Sequence, residues 1–574
     1  MRGHEAILRQ FVANDLCYMF GNPGTVEQGF LDALSAVPEL KYILTLQESI
    51  AVLCADGYAR ARFKPALVQI HSTPGLGNAI GNLYQAMRGQ APLVVIGGDA
   101  GIRYQAMDAQ MAGDLVAMAE PVTKWSAMVS HPSSLLRMVR RAIKVAATPP
   151  CGPVYLCLPQ DVLDAEVVED IYPAHIPSIA QAADSRDVAE IVRTLQQAEN
   201  PIILVGDGVA WSGAHEELLA LAEASGSRVY QADGGEVNFP EDHPLFFGGT
   251  GHMFGENSLP ITKAADWCLA VGCFLLPEVF PNLGDIFTPG CKVYHLDSNP
   301  NNIAKNHRVD LSIVGDPKGL LRQLNASLHE LGDDRSSSQA TVRQKANEVR
   351  KQQATNQTST IYDLDPSIPD DAYDNKTTFM PSGFFFQQLA SKLDATAILF
   401  DEALTNSPPI TTHLPAQRPG QKLWTRGGSL GTGLPGAIGI KLAHPDKQVI
   451  GISGDGGSMY TIQCLWTAAR HGIAAKFVIC QNRSYRLLQA NIKQYWQAQG
   501  IAEHDYPLCF DLSAPEISFE QLAESMGVKG ERVWKPSQVE AAIDRMIHST
   551  EPYLINLVLD GDVHPELIGV HCGQ

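Results

Sequence analysis

This chain of 574 residues has no basic excess, no paired-cysteine motif and no long apolar run. Lys and Arg total 43 against 62 Asp and Glu, a formal net charge of −19. Such an acidic balance excludes nucleic acid as a bulk partner, because neutralising a phosphate backbone needs clustered cations. The 11 cysteines form no C-x-x-C pair and lie in apolar segments such as Val271-Gly272-Cys273. They read as buried thiols in a reducing compartment. No stretch approaches the ~20 apolar residues of a membrane helix. The start Met1-Arg2-Gly3-His4-Glu5 lacks the apolar stretch of a secretory signal. The expectation is a soluble, cytoplasmic protein with neither nucleic acid nor membrane as partner. No short internal repeat is present. No G-x-G-x-x-G fingerprint opens a unit, so a plain nicotinamide dehydrogenase fits poorly.

Hydrophobic content of 45% is that of a globular protein with large cores. The length suits about three domains. In residues 1–175, helical stretches alternate with short apolar runs such as Ala66–Ile70, Pro92–Ile96 and Pro153–Leu158. Such runs suit parallel strands buried on both faces, with crossover helices between them. After a linker at 176–187, a second unit spans 188–332. It holds Pro201–Gly208, Trp267–Gly272 and Lys292–Asp297. A polar connector over 333–375 leads to a third unit, 376–574, similar in length and alternation to the first. The fold class expected is α/β, with three doubly wound parallel-sheet domains. In the middle unit, Gly206-Asp207-Gly208 after one strand and Asp297 ending another suggest a nucleotide crevice, without the full glycine spacing.

The strongest signal lies in the third unit. The strand Gln448–Ser453 runs into Gly454-Asp455-Gly456-Gly457-Ser458. A helix follows, and the strand Ala475–Cys480 ends in Gln481-Asn482-Arg483-Ser484. Carboxylate and amide oxygens are hard ligands suited to Mg²⁺. Glycines let backbone N–H groups approach phosphate, and a helix N-terminus adds its positive dipole end. Aspartate and glycine after a strand often make only a turn; the full strand–GDG–helix–strand–Asn pattern is far more specific. It resembles the metal–diphosphate motif of thiamine diphosphate (ThDP) enzymes. Gly21-Asn22-Pro23-Gly24-Thr25, Gln47-Glu48, His71–Gly75 and Gly428–Pro435 resemble the same family, the ThDP-dependent 2-keto acid decarboxylases and carboligases. The resemblance is strongest to benzoylformate decarboxylases and next to acetolactate synthases. It runs along nearly the whole chain, most clearly in 15–130 and 425–485.

The resemblance implies a first unit that binds the aminopyrimidine and a third that binds the diphosphate. The middle unit would be structural or keep a vestigial nucleotide site, with FAD or ADP as the lesser alternative. Cofactors would be ThDP and Mg²⁺. The active sites would lie at a subunit interface in a homodimer or homotetramer. Residue by residue, Glu48 matches the acid that serves the pyrimidine ring nitrogen, a role for a carboxyl in a dry pocket. His71 matches a substrate-pocket histidine that holds a carboxylate or relays protons. Thr25 stands where benzoylformate decarboxylase-like enzymes place a substrate-binding serine. Leu430 matches the apolar wedge beneath the cofactor, and the Gly428 carbonyl the acceptor for its amino group. Gly456, Gly457, Ser458, Tyr460 and Thr405 would contact the diphosphate. Asp455, the Asn482 side chain and the Ser484 carbonyl would hold the metal.

Two departures bear on the reaction. Gln481 replaces a first asparagine, which in the family supports the loop and is not a ligand. The segment Gly272–Phe280 lacks the second catalytic histidine expected near it, leaving Glu278 as a substitute if its loop reaches the pocket. Loss of a proton donor favours carboligation over simple release of an aldehyde. Arg483, Arg486 and Lys493 could meet an anionic acceptor, and the tail Glu566–Gln574 could fold over the site. The leading expectation is therefore a carbon–carbon lyase that decarboxylates 2-keto acids, with carboligation to an aldehyde or ketone competing. Two alternatives remain open: an acetolactate synthase-like or 2-hydroxyacyl-CoA lyase-type carboligase, and a non-catalytic relative that binds ThDP.

Overall fold

The computed structural model describes residues 1–232, 234–250, 255, 258–276, 284–331, 340–349, 351, 364–374 and 376–559. Glu278 and the tail Glu566–Gln574 lie outside the described residues. The described cysteines form no disulfide, and eight of those ten are buried. No described helix is long and apolar enough to cross a membrane.

Among the described residues, eighteen strands form three six-stranded sheets. The first sheet holds β1 (Tyr18–Gly21), β2 (Lys41–Leu44), β3 (Ala66–His71), β4 (Leu93–Asp99), β5 (Trp125–Met128) and β6 (Val154–Pro159). The second holds β7 (Pro201–Val205), β8 (Arg228–Gln231), β9 (Phe246–Gly249), β10 (Trp267–Val271), β11 (Lys292–Asp297) and β12 (Leu311–Val314). The third holds β13 (Ile398–Glu402), β14 (Lys422–Trp424), β15 (Val449–Gly454), β16 (Lys476–Gln481), β17 (Lys529–Val533) and β18 (Tyr553–Val558). Neighbouring strands pair in parallel throughout. Central strands such as β4, β7 and β16 are buried along their whole length, which explains their continuous apolar runs.

The first sheet runs β2-β1-β3-β4-β6-β5, and the third repeats that order as β14-β13-β15-β16-β18-β17. The middle sheet differs: β12-β11-β10-β7-β8-β9 is the strand order of dinucleotide-binding domains. One hydrophobic cluster joins the first and third units, from Phe20 and Ile50 to Phe400, Leu434 and Phe477. At its centre the helices Glu48–Arg62 and Gly433–Ala443 pack backbone to backbone. A side chain at Gly439 would run into the Cys54 carbonyl, and one at Gly57 into the Gly436 carbonyl. Glycine is required there by this close approach.

Candidate active site

In parallel sheets the carboxyl ends of the strands are where ligands collect, and the third unit gathers its candidates there. β15 delivers Asp455, the first residue of the short turn Asp455–Ser458, and the neighbouring β16 delivers Asn482. Asp455 is buried; its carboxylate accepts the N–H of Gly456 (2.8 Å) and of Arg483 (2.6 Å). Burial pushes that carboxyl up to about 6. The Asn482 Oδ1 accepts the Ser484 N–H at 3.0 Å, and the Ser484 carbonyl accepts from Arg486 at 3.0 Å. Asp455, Asn482 and Ser484 thus form one group. Gln481 points elsewhere, donating to the Ile517 carbonyl (2.8 Å) and accepting from Asn556 (3.0 Å), as a residue that braces the strand would.

These residues suit a magnesium-bridged diphosphate. No described cluster of three His, Cys, Asp or Glu exists that could enclose a metal alone. Mg²⁺ commonly takes one or two carboxylates and completes its shell with phosphate and water oxygens. The buried Asp455 carboxyl accepts backbone donors, and a Cβ at Gly454 would meet open space. At Gly456 a side chain would strike the Tyr485 ring, and at Gly457 it would crowd Ser453 Oγ at 3.1 Å. Ser458 donates its hydroxyl to the Gly454 carbonyl (2.7 Å), so that group stabilises the turn. Tyr460 is 60% exposed, and Thr405 lies half-buried in the turn Leu404–Asn406 after β13.

The loop before helix Gly433–Ala443 carries Gly428 and Leu430. Gly427, Gly428 and Gly431 all have positive φ, and Gly428 is exposed. Leu430 is half-buried. Glu402, at the end of β13, was not picked out from the sequence. It is buried, and its carboxylate accepts the N–H of Gly431 (2.5 Å), the N–H of Gly433 (2.7 Å) and the Ser453 hydroxyl (3.0 Å). Burial raises this carboxyl to about 7. Gly431, Gly433 and Gly436 have G-x-G-x-x-G spacing at a helix N-terminus, where a phosphate would bind. Here Glu402 already occupies those donors.

In the first unit, Glu48 is the first residue of its helix, behind the N-cap Gln47. It is 5% exposed and accepts from the amides of Asn22 (3.2 Å) and Asn78 (2.9 Å). Gly75 leaves room for it: a Cβ there would come within 3.1 Å of the carboxylate. His71, at the end of β3, places Nδ1 2.9 Å from a carboxylate oxygen of Glu27. Glu27, also missed in the sequence, is buried and accepts the Gly24 N–H at 2.9 Å. Burial raises its carboxyl, and His71 partly offsets the rise. Thr25 is exposed on the same loop.

Among the described residues, Glu48 hydrogen-bonds only within the first unit. The glycine loop nevertheless leans on the same helix, Ser72–Arg88. Ser429 donates to Asn82 (3.0 Å) and the Arg426 N–H to Gln85 (2.9 Å), one and two turns beyond Asn78. Of the flanking cations, Arg483 lies over the Phe379 ring, Lys493 over Tyr506, and Arg486 bonds to Gln489. Near the middle unit's Cys273–Leu276, His295 and His307 direct Nε2 at the carbonyls of Cys273 (2.9 Å) and Leu276 (3.4 Å), and burial lowers both imidazoles.

Family models match three blocks of the chain. The thiamine pyrophosphate enzyme N-terminal TPP binding domain covers residues 1–118, the central domain 188–324 and the C-terminal TPP binding domain 406–557. A probable acetolactate synthase large subunit of Methanocaldococcus jannaschii is 32% identical over 98% of this chain and 92% of that protein. Benzoylformate decarboxylase of Pseudomonas aeruginosa is 28% identical over 96% of this chain and 98% of its own length. The solved structure of the ThDP-dependent 4-hydroxybenzoylformate decarboxylase of Rhodococcus jostii superimposes with a TM-score of 0.82 at 25% identity, covering 98% of this chain and 100% of that one.

Proposed function

The chain belongs to the thiamine pyrophosphate enzymes, and from that membership we propose a Mg²⁺-dependent carbon–carbon lyase that decarboxylates 2-keto acids, with carboligation competing. The observation that carries this reading is the buried Asp455 grouped with Asn482 and Ser484 at the ends of β15 and β16. Asp455, the Asn482 amide oxygen and the Ser484 carbonyl hold the metal. Backbone groups of Gly456, Gly457 and Ser458, with Thr405 and Tyr460, receive the diphosphate. Leu430 would lie beneath the cofactor as an apolar support, and the Gly428 carbonyl would accept from its amino group. When bound, ThDP supplies the electron sink that makes loss of CO₂ from a 2-keto acid feasible.

The chain's own residues orient groups and handle protons. Glu48 presents a carboxyl to the pyrimidine ring nitrogen. His71, oriented by Glu27, and Thr25 face the substrate carboxylate. Burial excludes water around Glu48 and Glu27 and strengthens their interactions. The units 1–175, 188–332 and 376–574 serve as pyrimidine, middle and diphosphate domains. Glu48 of one subunit faces the third unit of another, so a homodimer or homotetramer is the working assembly. The buried thiols suit a reducing cytoplasm.

Identity to the acetolactate synthase relative favours a second reading, in which carboligation is the main reaction. The lack of a histidine in Gly272–Phe280 supports the same alternative. Product analysis separates the two. Apo-protein receives ThDP, Mg²⁺ and 2-keto acids, alone and then with aldehydes, a second 2-keto acid or acyl-CoAs. Release of free aldehyde supports decarboxylation, while 2-hydroxy ketones or hydroxy-keto acids support ligation. Cofactor binding without any product would leave only a non-catalytic ThDP-binding role.

A further inference from the structure

Where the three units meet, five ionisable side chains are buried together, and none has a part in the proposed chemistry. Arg60, in the last turn of helix Glu48–Arg62, places Nε 2.6 Å from Glu236 of the middle unit and Nη1 3.2 Å from Asp56. Its Nη2 donates to the Gly235 carbonyl and, at 3.1 Å, to the Trp424 carbonyl in β14. Asp207, just after β7, accepts the N–H of Gly235 (2.8 Å) and of Glu236 (3.0 Å). It also forms an ion pair with Arg426 Nε at 3.1 Å. The Trp424 N–H donates to the Gly235 carbonyl at 2.9 Å, and Glu236 bridges Leu423 in antiparallel fashion. A short piece of the middle unit is therefore added to the edge of the third sheet.

Arg426 begins the loop that carries Gly428 and Leu430. At the other end of that loop, Glu402 holds Gly431 and Gly433. Between the two anchors Gly427 and Gly428 are exposed, and a Cβ on Gly428 would meet nothing within 4 Å. The loop is strung between two buried carboxylate clamps and leans on helix Ser72–Arg88 only through Ser429, the Arg426 N–H and the close approach of Gly427 to Tyr84 and Arg88. We propose that Asp207 and Glu236 of the middle unit are positioning residues for the cofactor site, setting the loop that carries Leu430 through Arg426 and β14.

Apolar side chains would have glued the units together equally well. Charged, hydrogen-bonded pairs add direction and a fixed geometry. The middle sheet's strand order would place a dinucleotide at the ends of β7 and β10. There the Gly208 N–H is bonded to the Gly272 carbonyl at 2.8 Å, and Asp207 is engaged by the clamp. Of the groups that a nucleotide would use at the switch point, the Gly208 N–H is satisfied inside the middle unit and Asp207 serves the neighbouring one.

This inference rests on the ThDP reading, so the test carries two measurements on the full-length chain. ThDP with Mg²⁺ is titrated calorimetrically into apo-protein, and hydrogen exchange of peptides spanning 425–432 is followed without ligand. Asp207→Asn is expected to weaken ThDP binding at least tenfold and to speed exchange in 425–432, with helix Glu48–Arg62 unchanged. Arg426→Lys, which keeps the charge but not the geometry, should fall between. If Asp207→Asn does not fold, Glu236→Gln decides, with at least threefold weaker binding and faster loop exchange expected. Unaltered affinity and exchange in the folded variant overturn the clamp while leaving ThDP binding intact. Faster loop exchange in the variant, together with an unaltered chain that does not bind ThDP, would keep the clamp and remove the cofactor reading.

Discussion

The first and third units share one strand order, yet they put different chemistry at the same topological positions. Each has a buried glutamate near the end of its first strand, Glu27 in the segment after β1 and Glu402 as the last residue of β13. After the second strand come Glu48, the first residue of the following helix, and Leu430, in the loop before the corresponding helix. The third strand ends at His71 in the first unit and runs into Asp455 in the third. The first unit's carboxylates meet side-chain amides, an imidazole and one backbone N–H, whereas the third unit's meet several backbone N–H groups and a serine. Topology decides where side chains converge, and the partners at each strand end decide what they do. On the proposed function, the first unit manages protons and the third grips charge.

The largest effect should come from the gripping unit. Asp455→Ala is expected to weaken ThDP–Mg²⁺ binding by about a hundredfold or more, since a metal ligand is lost outright. Calorimetry measures that, and the melting temperature of the apo-protein should not fall, because burial disfavours this carboxylate. Glu48→Gln should do the reverse, lowering turnover by about 10²–10⁴-fold with cofactor affinity within about threefold of wild type. If both variants failed in binding alone, the division between units would be wrong.

The sequence made much of this visible, for physical reasons. Strands buried on both faces leave continuous apolar runs, so β3, β4, β7 and β16 could be read directly. Asp455 and Asn482 announced themselves because glycines punctuate the strand end. Glu27 and Glu402 did not. A carboxylate near a turn or a helix start usually caps or solvates, and only the packed structure shows each one buried on specific donors. The clamp joining Arg60, Asp207, Glu236 and Arg426 was equally hidden, because its members lie far apart along the chain. Periodicity carries no long-range pairing. The same holds for Gly57 and Gly439, whose need for glycine arises from a helix on another unit.

A smaller effect distinguishes the two buried glutamates. Glu402→Gln keeps only one acceptor oxygen for Gly431, Gly433 and Ser453, so about tenfold weaker ThDP binding is expected, with titration calorimetry as the check. The pH dependence has a definite sign. The Glu402 carboxyl is raised to about 7 from its ordinary 4.5, so the folded chain binds this proton more tightly than the unfolded one. Its contribution to stability is full below the ordinary value and is lost as pH rises through about 7. Denaturant unfolding of apo-protein at pH 5 and 7.5 should therefore show Glu402→Gln gaining on wild type by about 1–3 kcal/mol. The smallest effect belongs to Glu27→Gln, which weakens the grip on His71. Turnover should drop about three- to tenfold with cofactor affinity unchanged, as read from steady-state kinetics at saturating ThDP.

The most direct test of the central claim is the magnesium linkage of cofactor binding to the unaltered chain. ThDP is titrated into apo-protein by calorimetry, once with Mg²⁺ and once with EDTA. The account expects one site per chain, occupied tightly with the metal and at least a hundredfold more weakly without it. Equal affinity in the two titrations, or no binding in either, would contradict it.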